Sequence, residues 1–252
     1  MKLFGIRSML LGSLLSAALL WPGLPAFALS EKEVITKLNA IPAFSIVDNK
    51  GKPLLLTPKT DKNVAYLNFY LDAAVAQKAM EVFQTQNAAA AKNYRIGLVS
   101  LGQAYKIVKE QAKKKDNKVR FQFLSNTKDL TMATELAQKK DPKVKNFVGV
   151  PLFFVSGGSD PKKQGILTLK RDGKEYLPMF FSEDDLQKNL VQLKQSGKNL
   201  PKELSIQVAT LDAIVGTMLG GKNDSDAEKI TFVPAKSALE YVQKLQKTAP
   251  KP

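Results

Sequence analysis

The chain reads as a layered α/β (α+β) protein assembled from two similar halves. Three observations carry that reading. Apolar, aromatic runs of strand length alternate with longer stretches whose apolar residues fall at helical spacing. Four short segments recur in the same order about 110 residues apart. The apolar fraction, 44%, is ample for a packed core.

The recurrence runs as follows. Ile41-Pro42-Ala43-Phe44 is echoed by Val150-Pro151-Leu152-Phe153, and Asn68-Phe69-Tyr70 by Met179-Phe180-Phe181. Ile96 to Leu101 matches Ile206 to Leu211, and Phe123 with Leu130 matches Phe232 with Leu239. One such match between βα units could arise by chance, but four in order argue for a repeated unit. Each half then reads as an extended entry, a hairpin, and strand–helix three times over. The expected division is a signal peptide over 1–28, a first α/β repeat over 29–145 and a second over 146–252. The two repeats would be lobes of one domain, related by a pseudo-two-fold axis, with apolar grooves on their faces.

Within the halves, Asn49-Lys50-Gly51 and Arg171-Asp172-Gly173 mark tight turns. Val64 to Tyr70 and Glu175 to Phe181 are strands; Ala73 to Ala91 is a helix with Val75, Ala79, Val82 and Phe83 on one face. Its counterpart starts at Ser182-Glu183-Asp184-Asp185, a capping pattern whose acids suit the positive end of a helix. Ala137 to Lys145 reads as the connector between halves, Gly220 to Glu228 as a polar loop, and Gln246 to Pro252 as a frayed tail.

The first residues carry an address. Lys2 and Arg7 precede an apolar run from Ser8 to Leu20; Trp21, Pro22 and Pro25 break it, and Ala26-Phe27-Ala28 offers small residues for cleavage. That order is a secretory signal peptide, and the run is too short for a bilayer span. The mature chain is expected in the periplasm, with the thylakoid lumen the less favoured compartment. The whole chain has a net charge of +15, which loss of Lys2 and Arg7 reduces to +13. Such a balance favours anionic partners, and export argues against nucleic acid.

What is missing narrows the chemistry. The chain has no Cys and no His. Disulfides, thiol redox chemistry, the usual zinc and copper sites and His-assisted nucleophiles are therefore excluded. Gly216 to Asn223 falls one residue short of a P-loop, with Asn223 in place of the Ser or Thr, and it ends a helical pattern instead of opening one. No cofactor is expected, and the chain reads as a binding protein, not an enzyme.

Two sets of residues stand out as candidate sites. Phe44, Phe69, Phe153, Phe180 and Phe181 are nominated as lining a client-binding groove. Phe153-Phe154 and Phe180-Phe181 place adjacent rings on opposite faces of a strand, so a second helix layer or a groove must receive one of each pair. Lys113, Lys114, Lys115, Lys139 and Lys140, with Lys143 and Lys145, form a candidate basic docking surface for an acidic partner or an anionic membrane face.

At the second half the chain resembles a known family. Gly149 to Val155, Gly165 to Leu169, Leu177 to Gln187, Leu211 to Ile214 and Ile230 to Ala235 are similar to the Tic22 family, whose members serve chloroplast protein import, with periplasmic relatives in cyanobacteria. The resemblance implies a two-lobed α/β fold with apolar grooves and a chaperone-like role toward precursor proteins. It implies unfolded outer-membrane or precursor proteins as clients and the outer-membrane β-barrel insertase as a partner. The secretory signal, in place of a transit peptide, points to the bacterial branch. Two other readings stand beside it: a scaffold holding an envelope translocation machine together, and a thioredoxin-like fold that lacks its cysteines, suggested by Val150-Pro151 ahead of a Phe-rich strand.

Overall fold

Two mixed β-sheets, each covered by helices on both faces, make up the computed structural model, which describes residues 28–115, 118–158, 165–196, 200–201, 203–220 and 225–248. The signal-peptide segment lies almost wholly outside the described residues.

The first sheet contains β1 (Pro42–Asp48), β2 (Leu55–Leu56), β3 (Ala65–Tyr70), β4 (Tyr94–Ser100) and β5 (Val119–Leu124). β1 runs antiparallel to β4 on one side and to β3 on the other, and β3 pairs in parallel with β5. The second contains β6 (Pro151–Gly157), β7 (Gly165–Ile166), β8 (Leu169–Arg171), β9 (Lys174–Phe180), β10 (Leu204–Thr210) and β11 (Ile230–Val233). Here β6 runs antiparallel to β10 and β9, and β9 pairs in parallel with β11. Order and sense of pairing are thus the same in both sheets. The registers also agree in detail: Pro42 faces Ser100 as Pro151 faces Thr210, and Phe44 faces Tyr70 as Phe153 faces Phe180. Tyr70, not Phe69, is therefore the topological counterpart of Phe180, one residue away from the sequence alignment. Aromatic composition drove that alignment, whereas the pairing is set by side-chain direction, which alternates.

In each sheet the central pair touches at one register position and then splays. A short return strand fills the gap: the Leu54 N–H donates to the Ile46 carbonyl, and the Leu167 N–H to the Val155 carbonyl, each at 2.8 Å. The turns behave as their residues require. Asp48 accepts the N–H groups of Lys50 and Lys52 around Gly51, which sits at φ +81°. Asp172 and Gly173 both take positive φ, 53° and 74°, between the paired residues Arg171 and Lys174, giving a two-residue hairpin of type I′ character.

The helices are α1 (Glu31–Leu38), α2 (Ala73–Gln86), α3 (Ala88–Ala91), α4 (Leu101–Ala112), α5 (Thr127–Lys140), α6 (Glu183–Gln195), α7 (Leu211–Gly220), α8 (Ser225–Lys229) and α9 (Lys236–Thr248). Several boundaries differ from the sequence expectation. Asn87, at φ −141° and ψ 51°, breaks the Ala-rich run into two helices. α5 extends into the charged connector, α8 occupies the second part of the supposed polar loop, and α9 continues to Thr248. α1 went unpredicted, although Ser30 and Glu33 form a capping box there.

The core shows how the halves interlock. On the first sheet, α4 covers Leu67 and Phe69. The opposite face, with Phe44, Ile46 and Tyr70, is covered by α2 and by α9, the last helix of the other half, through Ala238, Tyr241 and Val242. Phe44 meets Tyr241 edge to face, ring centroids 5.3 Å apart. On the second sheet, Phe153, Val155 and Phe180 pack under α6 and under α5, which contributes Met132, Ala133 and Leu136 from the first half. Its other face joins α1 and α7 with Ile41, Leu71 and Leu101 in the largest cluster. The strands of the first sheet fall within residues 42–124 and those of the second within 151–233, while α5 packs on the second sheet and α9 on the first.

A polar node locks these crossings. Asn126 caps α5, Ser182 caps α6 and Asp72 caps α2. The Asp129 carboxylate accepts the Glu183 N–H at 2.9 Å and the Asn126 amide at 2.6 Å, the Asp185 carboxylate accepts the Lys236 N–H at the start of α9, and Ser237 donates to Asp72. Burial pushes the Asp129 carboxyl above the usual carboxylate range, against the lowering effect of the Glu183 N–H and the Asn126 amide.

Gly102 sits where α4 packs tightly against α1. A Cβ there would sit 2.3 Å from Asn39 Oδ1 and 2.6 Å from the Ile35 carbonyl oxygen of α1. Gly102→Ala is expected to destabilise the protein by about 1–3 kcal/mol, since the clash with backbone outweighs the helix-propensity gain of Ala. Urea denaturation checks it; a variant as stable as the parent would show that α1 can shift outward freely.

Candidate functional site

The nominated phenylalanines are core residues. Phe44 and Phe153 are 0% exposed, Phe69 3%, and Phe180 and Phe181 5%. Each pair of rings does straddle a strand, as alternation requires, but a second layer of structure receives both members: Phe180 packs under α5 and α6, and Phe181 in the cluster with α1 and α7. Phe69 forms part of the floor of a hollow, stacked on Phe123 at 5.3 Å, and Phe180 lines only a small crevice. The sheets are double-covered, and that is why the nominated rings are buried, with only Phe69 and Phe180 bordering one of the hollows described here.

Open apolar surface exists, but other residues form it. A large hollow, about 1130 Å³, lies on the first sheet beside α2. Ile46, Asn68, Tyr70 and Leu124 make its floor, Val75, Ala79, Val82 and Phe83 of α2 one wall, and Leu54 to Lys59 the other. Val82, Leu55 and Leu56 stand 49%, 42% and 40% exposed, and Lys59 and Lys78 lie among the lining residues. The splay of β1 from β3 and the end of α9's coverage leave this trough uncovered. On the opposite face of the same sheet, Val47, Leu67, Phe69, Val99 and Ile107 border a second hollow of about 280 Å³. A third, about 400 Å³, lies between the halves, where Tyr105, Phe121 and Phe123 face Val148 to Val150 and α7. The signals for the first were in the sequence. Val75, Ala79, Val82 and Phe83 were read as a helix face, and Leu54-Leu55-Leu56 is an apolar triplet straight after a turn.

The lysines are exposed. Lys113 caps the C-terminus of α4 on the first sheet, with Lys114 and Lys115 following, while Lys139 and Lys140 end α5 on the second. All five follow or finish helix C-termini, where positive charge meets the negative end of the dipole, so a structural role accounts for their position. Ser182 to Asp185 serve as a helix start, Ser182 Oγ accepting the Asp185 N–H. α7 ends at Gly220, so Gly216 to Gly220 close a helix, unlike a phosphate-binding loop, which opens one; Gly221 to Asn223 lie outside the described residues. Among the described residues there is no acidic cluster spaced to hold a metal ion and no helix long and apolar enough to cross a membrane.

Fold and surface together define a two-sheet α/β protein whose main accessible features are apolar hollows. Relatives carry the assignment further. The chain belongs to the Tic22-like family, whose profile it matches over residues 13–246, a family linked to protein transport. It is similar to the chloroplastic protein TIC 22 of Pisum sativum, 24% identical over 229 residues that cover 88% of this chain and 81% of the relative. Among solved structures it resembles Anabaena Tic22, described as a protein-transport protein, with a TM-score of 0.70 at 27% identity, covering 89% of this chain and 99% of the other. Tic22 from Plasmodium falciparum shares the fold, with a TM-score of 0.67 at 19% identity and coverage of 86% and 99%.

Proposed function

We propose that the protein is a periplasmic, chaperone-like factor that holds unfolded precursor proteins, among them outer-membrane β-barrel chains, for translocation or insertion. The observation that carries this reading is the trough beside α2, which leaves Val82, Leu55 and Leu56 open beside buried floor residues. Monomeric proteins seldom expose contiguous apolar surface without a partner for it. Unfolded barrel strands present alternating apolar side chains that fit such a surface, and the positive net charge draws their acidic segments to it. In this reading the signal segment supplies export, and the β-barrel insertase and an anionic membrane face are the neighbours the basic surface would meet.

The test is suppression of aggregation of a urea-diluted outer-membrane barrel precursor by the mature protein, at low and high salt. Suppression near stoichiometry is expected, weaker at high salt. The double variant Val82→Asp/Leu56→Asp should lose at least about tenfold in protective concentration, since each exposed apolar contact is worth about 1.5–3 kcal/mol when buried. Its stability should change little, because both side chains already meet water. Absence of suppression by the parent protein at either salt would favour the scaffold reading and one dedicated partner.

A further inference from the structure

β4 is an edge strand. Among the described residues it pairs with β1 alone, along its whole length and with no bulge, from Pro42 opposite Ser100 to Asp48 opposite Tyr94. Two flanking bonds fix the phase of that ladder. The Leu101 N–H donates to the Ile41 carbonyl, and the Leu54 N–H reaches the Ile46 carbonyl from the far side of β1. Arg95, Gly97 and Val99 therefore turn their peptide groups toward β1, while Tyr94, Ile96 and Leu98 turn theirs outward. None of these outward groups has a backbone partner among the described residues. Edge strands are commonly blunted by proline, lysine or a bulge. β4 has none of these, and its Leu98 is 50% exposed. The equivalent edge of the second sheet differs, since β10 is half-buried along its whole length.

The hollow of about 280 Å³ opens at the same edge, where Arg95, Leu98 and Val99 line it from β4 and Ile107 from α4. Gly97 adds no side chain, which leaves room on that face for one from an added strand. The lining holds one charged residue, Arg95, and no carboxylate. Arg95 is exposed and has no ion pair among the described residues.

We infer that the outer edge of β4 is a strand-addition site for an extended segment of another polypeptide, one that carries a large apolar residue and a carboxylate two positions apart. Residues two apart share a face of a strand. The apolar side chain opposite Gly97 enters the hollow, and the carboxylate opposite Arg95 meets the guanidinium. The segment's backbone serves the outward N–H and C=O groups of Ile96 and Leu98, which supplies affinity, and the two side chains supply selection. Charge decides the occupant. A second copy pairing through its own β4 about Gly97 would set Arg95 opposite Val99 and leave both guanidiniums without a counter-charge. The hollow lies on the opposite face of the sheet from the trough, and the site does not depend on it.

The experiment uses the mature protein and a fluorescein-labelled nonapeptide with a central leucine, glutamates two positions to either side, valines between them and threonines outside. The peptide reads alike in both directions, so it can pair in either sense. Its amides are N-methylated one at a time. Methylation at alternate positions is expected to cost about tenfold in affinity each, with the intervening positions nearly silent, because only every second amide of an added strand faces β4. Arg95→Gln should bind the peptide about fivefold more weakly and bind its glutamine analogue as the parent does. Leu98→Pro removes an outward N–H and no bond to β1, so it should keep the parent's circular dichroism and lose about tenfold in affinity. A peptide that does not bind, or N-methyl penalties without alternation, overturns the inference. Equal affinity of Arg95→Gln and the parent for the glutamate peptide overturns the chemistry assigned to the partner. Sedimentation of the parent as a dimer that Leu98→Pro dissociates would overturn it too, giving the edge to a second copy. Should Leu98→Pro fail to fold, the N-methyl scan on the parent protein decides alone.

Discussion

Phe180→Asp is expected to unfold the protein, not to weaken client binding selectively. The ring is 5% exposed, opposite Phe153 in the second sheet and beneath Ala133 and Leu186. Truncating a buried phenylalanine costs about 3–5 kcal/mol, and placing a carboxylate in the same apolar cluster adds several more unless it protonates. The sum rivals the whole stability of a typical domain, about 5–15 kcal/mol. Urea melts followed by circular dichroism should find no cooperative transition, or one displaced to very low denaturant. A stable Phe180→Asp that fails only in binding would mean that α5 or α6 leaves the sheet in solution and that the ring faces clients. Val82→Asp is the matched control, since the same charge is there placed on a side chain already half in water.

Ending the chain after Ala235 should have the second large effect, and its location is the informative part. α9 follows directly on β11 of the second sheet, yet its Ala238, Tyr241 and Val242 cover Phe44 and Ile46 of the first. Losing those contacts costs on the order of 5 kcal/mol at about 1.5–3 kcal/mol for each large apolar side chain, together with the Asp185 and Asp72 contacts to Lys236 and Ser237. Hydrogen exchange should therefore rise in β1 and β3, far away in sequence, before it rises in β10 or β11. Loss of protection confined to residues 204–233 would show that α9 serves the sheet it is connected to, contrary to the packing described above.

Much of the architecture was legible in the residues because strands and their order are written locally. Alternation in Val64 to Tyr70, the Asp-Gly at 172–173 and the capping pattern at 182–185 each specify short-range geometry, and each is found where expected. Burial of the five phenylalanines was not legible. Whether a strand has one helix layer or two depends on which distant helix lies over it, and the helical faces of α5 and α9 do not say which sheet they meet. For the same reason the trough was missed. One wall was recognised as a helix face and the Leu54-Leu55-Leu56 triplet went unremarked, and the exposure of both arises only where the coverage by α9 stops.

The exchange of α5 and α9 between sheets also governs timing. A chain is made from its N-terminus, so the first sheet's residues appear long before the thirteen residues of α9 that close over them. Until the end of the chain is free, β1 and β3 lack their cover, and the second sheet must wait for its own strands although α5 is already made. Neither half can complete itself early. Closure of the first sheet is deferred until α9 has been made.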